Sequence, residues 1–183
     1  MNYHNLTYPD QNNGDGLRVV LWLSGCSHHC KGCQNPQTWN PDNGIPFDEK
    51  AKKELFEELE KDYISGITFT GGDPLYKDNL NEVLNLCKEV KEKFTNKTIW
   101  LYSGYSLEDI INKLNEYMYA PFSYGAEEFL TRYEIITYCD VLIDGEYKEE
   151  LRDITLKWRG SSNQRVVDLK ESLKQNKVVL YCD

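Results

Sequence analysis

The 183-residue sequence lacks the features that mark several large classes of protein. No stretch approaches the roughly 18 unbroken apolar residues that a membrane span requires, so we expect no membrane partner. Residues 1–5 have neither a basic end nor an apolar run, so we expect no secretory signal. Basic residues are outnumbered, with 21 Lys and Arg against 30 Asp and Glu, and the net charge of -9 disfavours binding to nucleic acid.

Repeats and low-complexity segments are also missing, and the length favours a single domain over residues 1–183. No Ser/His/Asp or paired-carboxylate constellation is recognisable, so we expect no catalytic acid–base side chain. Six cysteines without an export signal favour a reducing compartment, and we therefore expect a cytoplasmic protein. In that compartment, clustered cysteines more often bind metal or take part in catalysis than form disulfides.

Apolar runs alternate with amphipathic segments along most of the chain. Strands are predicted over 17–23, 64–70, 98–102 and 141–143, and helices over 48–61, over 80–94, from Ser106 and from about 125. This alternation predicts an α/β fold with a mostly parallel sheet, either open or curved into part of a barrel. Ligands bind beyond the carboxyl ends of such strands, where the predicted loops are 24–35, 71–74 and 103–105.

Three cysteines lie directly after the first predicted strand, in a C-x3-C-x2-C motif formed by Cys26, Cys30 and Cys33. Soft thiolates this close together favour zinc or an iron–sulfur cluster. A structural zinc site takes four ligands, and without a second cysteine pair the fourth would be His28 or His29. Three cysteines on a 4Fe-4S cluster leave one iron open to a substrate or cofactor. A cluster that only transfers electrons, or a chance spacing of three cysteines, would give the same motif.

Several other residues have two interpretations on sequence alone. Arg18 is interpreted mainly as a surface charge, with contact to a carboxylate as the alternative. His28 and His29 are interpreted mainly as exposed loop residues, with tuning of a bound cluster as the alternative. Asp144, at a strand end, faces a cofactor pocket or stabilises a turn. Residues 158–164, Trp-Arg-Gly-Ser-Ser-Asn-Gln, hold a carboxylate, a backbone segment or a partner, or form a capped turn.

The cysteine motif resembles the signature of the radical S-adenosylmethionine (SAM) enzymes. More narrowly, about residues 1–167 resemble the family of activating proteins of anaerobic ribonucleoside-triphosphate reductase. This similarity rests on residues 13–18, 24–26, 32–35, 38–39, 71–75, 99–105, 140–145 and 158–164. Gly32 stands where many radical SAM proteins have an aromatic residue, as expected for this subgroup.

The resemblance implies a partial, incomplete TIM-like barrel of the radical SAM type, built from repeated βα units. The Tyr-rich stretch at about 117–133 would be an insertion. The implied metal ligands are Cys26, Cys30 and Cys33, which would hold a 4Fe-4S cluster. The implied contacts to the cofactor SAM are Gly32, Cys33, Gln34, Gly71, Gly72, Asp73 and Ser103.

The implied activity is reductive cleavage of SAM, followed by removal of hydrogen from a glycine of another protein. The implied partner is the large glycyl radical subunit of anaerobic ribonucleoside-triphosphate reductase, with reduced flavodoxin or a similar protein as electron donor. An activating enzyme for another glycyl radical enzyme is a second hypothesis. A metal-binding protein without catalytic activity is a third.

Overall fold

The computed structural model describes residues 1–119 and 126–182. In these residues, eight strands form one sheet: β1 (Asn2–Asp10), β2 (Leu17–Leu23), β3 (Ile45–Pro46), β4 (Ile64–Gly71), β5 (Thr98–Tyr102), β6 (Val141–Asp144), β7 (Arg165–Asp168) and β8 (Leu180–Cys182). The same residues form five α-helices: α1 (Glu49–Leu59), α2 (Leu80–Lys93), α3 (Leu107–Tyr119), α4 (Ala126–Tyr138) and α5 (Leu169–Gln175). Part of the Tyr-rich 117–133 stretch, including the expected break at Pro121, lies outside the described residues.

The sheet is mixed, with strand order β3-β1-β2-β4-β5-β6-β7-β8. Its centre, β2-β4-β5-β6, is parallel. Both flanks are antiparallel, because β1 pairs with β2 and β3 on one side and β7 pairs with β6 and β8 on the other. The expected α/β class is confirmed, but the expectation of a mostly parallel sheet holds only for the centre. In the described residues the two edge strands do not pair, so the sheet does not close into a barrel.

The helices all contribute to one hydrophobic core on one side of the sheet. Alternate residues of the central strands, such as Leu21, Phe69 and Leu101, belong to this core together with side chains from every helix. Their neighbours on the strands, such as Trp100 and Ile143, form a separate and smaller cluster that contains no helix residue. Because side chains alternate between the faces of a strand, the sheet has one helix-covered face and one face that carries no helix from residues 1–119 and 126–182.

Arg18 is fully buried on the face without helices, so its interpretation as a surface charge is wrong. Its guanidinium donates to Thr68 Oγ1 at 2.6 Å, to Thr98 Oγ1 and to the carbonyls of Asp15, Ile67 and Thr98, and it stacks over Trp100. Burial lowers the pKa of Arg18 to about 10. The partners come from strands distant in sequence, so the strand pattern alone does not reveal this burial.

Helix starts follow local capping signals. Asp48 accepts a hydrogen bond from the Ala51 N–H at the start of α1. Ser106 and Asp109 bond reciprocally at the start of α3, as in a capping box. None of the described helices has the length and apolar character that crossing a membrane requires.

Candidate metal and cofactor site

The cysteine loop begins at the carboxyl end of β2 and is held against its own return segment. Gly25 N–H donates to Thr38 C=O at 2.7 Å, and Cys26 N–H donates to Trp39 C=O at 3.1 Å. A short 3₁₀ helix, Pro36–Thr38, supplies this return. These bonds fix the loop before any ligand binds, because its first cysteine is tied to a turn thirteen residues further on.

All three loop cysteines are free thiols and half-buried. The Asn35 N–H donates to Cys33 Sγ at 3.4 Å, which is a favourable contact for a thiolate. Burial, and then the charge of Asp73, raises the pKa of Cys26 to about 11, and burial also raises the pKa of Cys30. Without a positive partner the Cys26 and Cys30 thiols stay protonated, whereas a bound metal deprotonates its cysteine ligands. The loop is therefore suited to binding metal rather than to free-thiol chemistry.

Asp73 joins the three strand-end loops that the sequence singled out. It is 2% exposed, and its carboxylate accepts from Leu75 N–H, Ser103 Oγ–H and Gly104 N–H at 2.8–3.0 Å. Its own N–H donates to Gly25 C=O at 2.8 Å. Both carboxylate oxygens are thus engaged within the protein. The geometry makes Asp73 the residue that positions the cysteine loop beside the next two strand ends.

His28 connects the cysteine loop to Asp73 and to Glu146, so the interpretation of His28 as an exposed loop residue is wrong. Its side chain is 11% exposed, with Nδ1 2.9 Å from Glu146 Oε1 and Nε2 2.9 Å from Asp73 Oδ2. The contact to Asp73 is an ion pair without hydrogen-bond alignment. Burial lowers the pKa of His28, but the two carboxylates outweigh this effect and raise it to about 9. Its neighbour His29 is exposed, as expected.

A cavity of about 540 Å³ opens beside the loop at the carboxyl ends of β2, β4 and β5. Its lining comes from four sources: the strand ends, the connection between β1 and β2, the cysteine loop with its flanking polar residues, and the connection between β6 and β7. The residues are Asp10, Asn12, Asn13, Trp22, Cys33, Gln34, Asn35, Thr70, Tyr102, Tyr147, Trp158, Arg159, Gly160 and Gln164. This is the edge of the sheet at which ligands bind in α/β proteins.

Residues 158–164 form a turn, as one interpretation expects, and part of this turn lines the cavity; that it holds a carboxylate, a backbone segment or a partner stays a prediction. Gln164 accepts from the Gly160 and Ser161 N–H groups and donates to Gly145 C=O at 3.0 Å. Trp158 has a φ of 59° and packs edge-on against Trp100. Arg159 follows it into the cavity wall, with its Nε buried and without a partner among the described residues. A buried, unpaired guanidinium N–H is a donor available to an anionic ligand.

The structure brings only some of the predicted cofactor residues to the cavity. Cys33 and Gln34 line it, whereas Gly71 packs against the end of β2 and Gly72 packs against the backbone of Gly25. A side chain at Gly72 would come within 2.5 Å of the Gly25 carbonyl, so this glycine permits close backbone packing. Ser103 has its hydroxyl bonded to Asp73.

Two further residues lie away from the cavity lining. Gly32 has a φ of 73° and faces the Glu149 side chain. Asp144 is 1% exposed, is paired with Arg165 and accepts from Leu107 N–H at 3.0 Å. The structure therefore supports neither the pocket nor the turn interpretation of Asp144, because its carboxylate connects the start of α3 to β7.

Sequence reasoning misses several of the cavity residues. Trp22, Thr70 and Tyr102 lie near the ends of their strands, on the face without helices. A search of the sequence for apolar core positions in strands does not identify residues of this kind. Tyr147 stands in a charged run that is typical of solvated surface. Trp22, Thr70 and Tyr102 could be found from the sequence because all three lie near strand ends and on the same face of the sheet.

The donor set fits an iron–sulfur cluster better than a zinc ion. Zinc needs its donors at about 2.0–2.3 Å from one centre, and no three His, Cys, Asp or Glu side chains in the described residues converge in that way. His28 is engaged by carboxylates, and the His29 ring packs against Trp39 at 4.9 Å. A 4Fe-4S cluster bonds each thiolate to a different iron, so its sulfurs need no common centre. The buried indole N–H of Trp39 has no partner among the described residues and leaves a further donor near the loop.

Fold and site together define a class of iron–sulfur protein. A family model described as a 4Fe-4S single cluster domain matches residues 12–167, which include all three loop cysteines and the cavity segment 158–164. The expected 4Fe-4S class is thereby confirmed.

Comparison with curated proteins narrows the class to one family. A protein of Enterobacteria phage T4 named anaerobic ribonucleoside-triphosphate reductase-activating protein is 44% identical over 166 residues, covering 91% of this chain and 93% of its own. Proteins of the same name from Pasteurella multocida (strain Pm70) and Escherichia coli (strain K12) are 38% and 34% identical, covering 90% and 93% of this chain and 95% and 100% of theirs. The chain belongs to the family of anaerobic ribonucleoside-triphosphate reductase-activating proteins.

Proposed function

We propose that this protein activates an anaerobic ribonucleoside-triphosphate reductase by removing a hydrogen atom from one of its glycines. The observation that carries the proposal is the cavity of about 540 Å³ that Cys33 shares with the ends of the parallel strands. A cysteine loop that only stored or transferred electrons would need no such space. The names of the relatives supply the identity of the reductase.

Cys26, Cys30 and Cys33 would hold the 4Fe-4S cluster, and the cavity beside them would hold SAM. When bound, the cluster and SAM would supply one-electron radical chemistry able to remove a hydrogen atom from a glycine of the reductase, with methionine and 5′-deoxyadenosine as the products of SAM. No side chain has to accept a proton in such radical chemistry.

The protein's own residues would bind and orient SAM and would exclude water from the cavity. Arg159 would meet the SAM carboxylate, since its unpaired Nε lies in the cavity wall. Trp22, Tyr102 and Trp158 would cover the apolar and aromatic parts of the cofactor. Asp73 and Ser103 would act by positioning, because their polar atoms bond to each other beneath the loop. Gly32, Gln34, Gly71 and Gly72 would shape the loop around the ligand.

We further propose that residues 1–183 form a single radical SAM domain of the partial TIM-like barrel type. In a barrel the helices lie outside and the inner face carries none, whereas doubly wound sheets have helices on both faces. The one-sided helix layer of this sheet supports the barrel type. A reduced flavodoxin or similar protein would supply the electron. We place the reaction in the cytoplasm because free cysteines and an oxidisable cluster require a reducing compartment.

The test is electron paramagnetic resonance of an anaerobic mixture of reconstituted protein, SAM, a strong reductant and the reductase. We expect a glycine-centred doublet that depends on all four components and loses its main splitting when the reductase carries glycine deuterated at the α carbon. Cleavage of SAM without a protein radical would point to another substrate. An absence of both SAM cleavage and cluster would refute the proposal in favour of a non-catalytic metal-binding protein.

A further inference from the structure

The connection between β6 and β7 is much longer than these strands need. They are antiparallel neighbours, and such pairs are usually joined by about 2–5 residues, yet residues 145–164 separate them here. Long connections that stay ordered are usually functional. The connection between β6 and β7 supplies part of the cavity wall, so we expect its additional length to serve a function at the cavity.

The connection folds back on itself as an ordered loop, residues 151–162. Ser162 N–H donates to Leu151 C=O at 2.9 Å, Asp153 N–H donates to Gly160 C=O at 3.2 Å, and Arg152 and Ser161 form an antiparallel bridge. At the tip, Thr155 donates twice to the Asp153 carboxylate. The tip is thus a preformed element, and binding a partner would not require ordering it.

The tip presents apolar surface to solvent, in the same loop whose later residues line the cavity. Ile154 is 83% exposed, more than any other large apolar side chain in the described residues, and Leu151 is 39% exposed. Two exposed cations, Arg152 and Lys157, flank them in a chain whose net charge is -9. Apolar side chains with a charged rim are the surface that protein partners bind.

The inner end of the same loop forms the cavity wall. Trp158, Arg159 and Gly160 line the cavity only a few residues after Ile154. A polypeptide whose glycine enters the cavity therefore passes beside this loop. Apart from Ile154 and Leu151, no exposed large apolar side chain of the described residues belongs to a loop that lines the cavity.

We infer that the tip of loop 151–162, centred on Ile154, is a docking element for the reductase and binds the polypeptide segments next to its target glycine. This inference rests on the proposed function and adds the surface that recognises the partner. It assigns Ile154 to binding alone. Cluster assembly and SAM cleavage in the absence of the reductase do not involve this residue.

The test compares Ile154→Asp with Tyr63→Asp, a control at a 55% exposed aromatic residue preceding β4, at the opposite end of the sheet. Reconstituted proteins are titrated into the reductase by anaerobic calorimetry. We expect Ile154→Asp to weaken binding at least about tenfold, as for an interface hot spot, and Tyr63→Asp to bind like the wild type. The Ile154→Ser variant, which adds no charge, should weaken binding in the same direction.

Iron content and reductase-independent SAM cleavage are measured on the same preparations. Wild-type affinity in Ile154→Asp, or equal losses in both Asp variants, would overturn the docking inference. A wild-type protein that neither holds a cluster nor cleaves SAM would instead overturn the proposed function, so the two failures are distinguishable. Loss of the cluster in both Ile154 variants would show that this residue is structural, and it would also overturn the inference.

Discussion

Replacing Asp73 by Asn tests whether one carboxylate holds the strand-end loops together. The two residues have nearly the same shape, so the change mainly removes charge and one acceptor. Oδ1 can keep its bond from Leu75 N–H. The new amide NH₂, however, would face the Gly104 N–H, which now donates to Oδ2 at 3.0 Å, and the carboxylate at 2.9 Å from the His28 ring would be gone.

The expected cost follows from these contacts. A hydrogen bond to a buried charged group contributes up to about 3 kcal/mol when its partner is left unsatisfied, and Asp73 is 2% exposed, so solvent cannot replace the lost acceptor. A loss of about 3 kcal/mol lowers the melting temperature of a domain of this size by roughly 6–12 °C. The assay is anaerobic thermal unfolding of the reconstituted protein, followed by circular dichroism.

Two controls make the result specific. Asp62→Asn changes an exposed carboxylate before β4 and should leave the melting temperature unchanged. Ser103→Ala removes the hydroxyl that donates to Asp73, and because the two residues share a bond, the double variant should lose less than the sum of the single losses. If Asp73→Asn melts within about 2 °C of the wild type, or if the two changes are additive, Asp73 is not the joining residue.

Three further predictions concern the metal, the pH dependence and the core. Ala in place of any loop cysteine should abolish iron binding, whereas Cys87→Ala, in the buried core, should keep it; equal iron in all four variants would contradict the ligand assignment. Burial by itself would raise the pKa of Asp140, but hydrogen bonds from Lys170 and Lys91 outweigh burial and hold this pKa below its ordinary value. Its stabilisation is therefore present above that value and lost as the pH falls through the lowered pKa. Asp140→Asn should be less stable than the wild type at pH 7 in urea unfolding, with the gap narrowing below about pH 4; a gap independent of pH would refute the pairing. Leu86→Ala should cost about 2–5 kcal/mol of unfolding free energy, because Leu86 is fully buried, and a loss below about 1 kcal/mol would contradict its core position.

The central elements of the fold follow from the sequence, and the flanks do not. Strands β2 and β5 lie at their predicted positions, since runs such as Leu17–Leu23 are apolar and β-branched. Strand β1, Asn2–Asp10, escapes prediction because its residues are mostly polar and half-buried. Strand β7, Arg165–Asp168, has four residues, too few for a period-2 pattern to stand out. Both of these strands are antiparallel, which is why the sheet is mixed rather than mostly parallel.

The candidate site is predictable where one short segment carries it. The cysteine loop is such a segment, whereas the contacts that hold it are long-range. His28 reaches Glu146, more than a hundred residues away, and Asp73 reaches Ser103. Spacing in the sequence contains no information on such pairs, so His28 resembles an exposed loop residue until the fold is known. Arg159 gains its place in the cavity wall only because β6 and β7 bring their connection to the ends of the parallel strands.

The central claim is that the cysteine loop holds a 4Fe-4S cluster through three thiolates, leaving one iron to bind SAM. The most direct measurement is the Mössbauer spectrum of protein reconstituted with ⁵⁷Fe, recorded anaerobically with and without SAM. We predict that one iron in four changes its isomer shift and quadrupole splitting when SAM is added, while the remaining three do not. A spectrum that SAM leaves unchanged, or a preparation that binds zinc in place of iron, would contradict the claim.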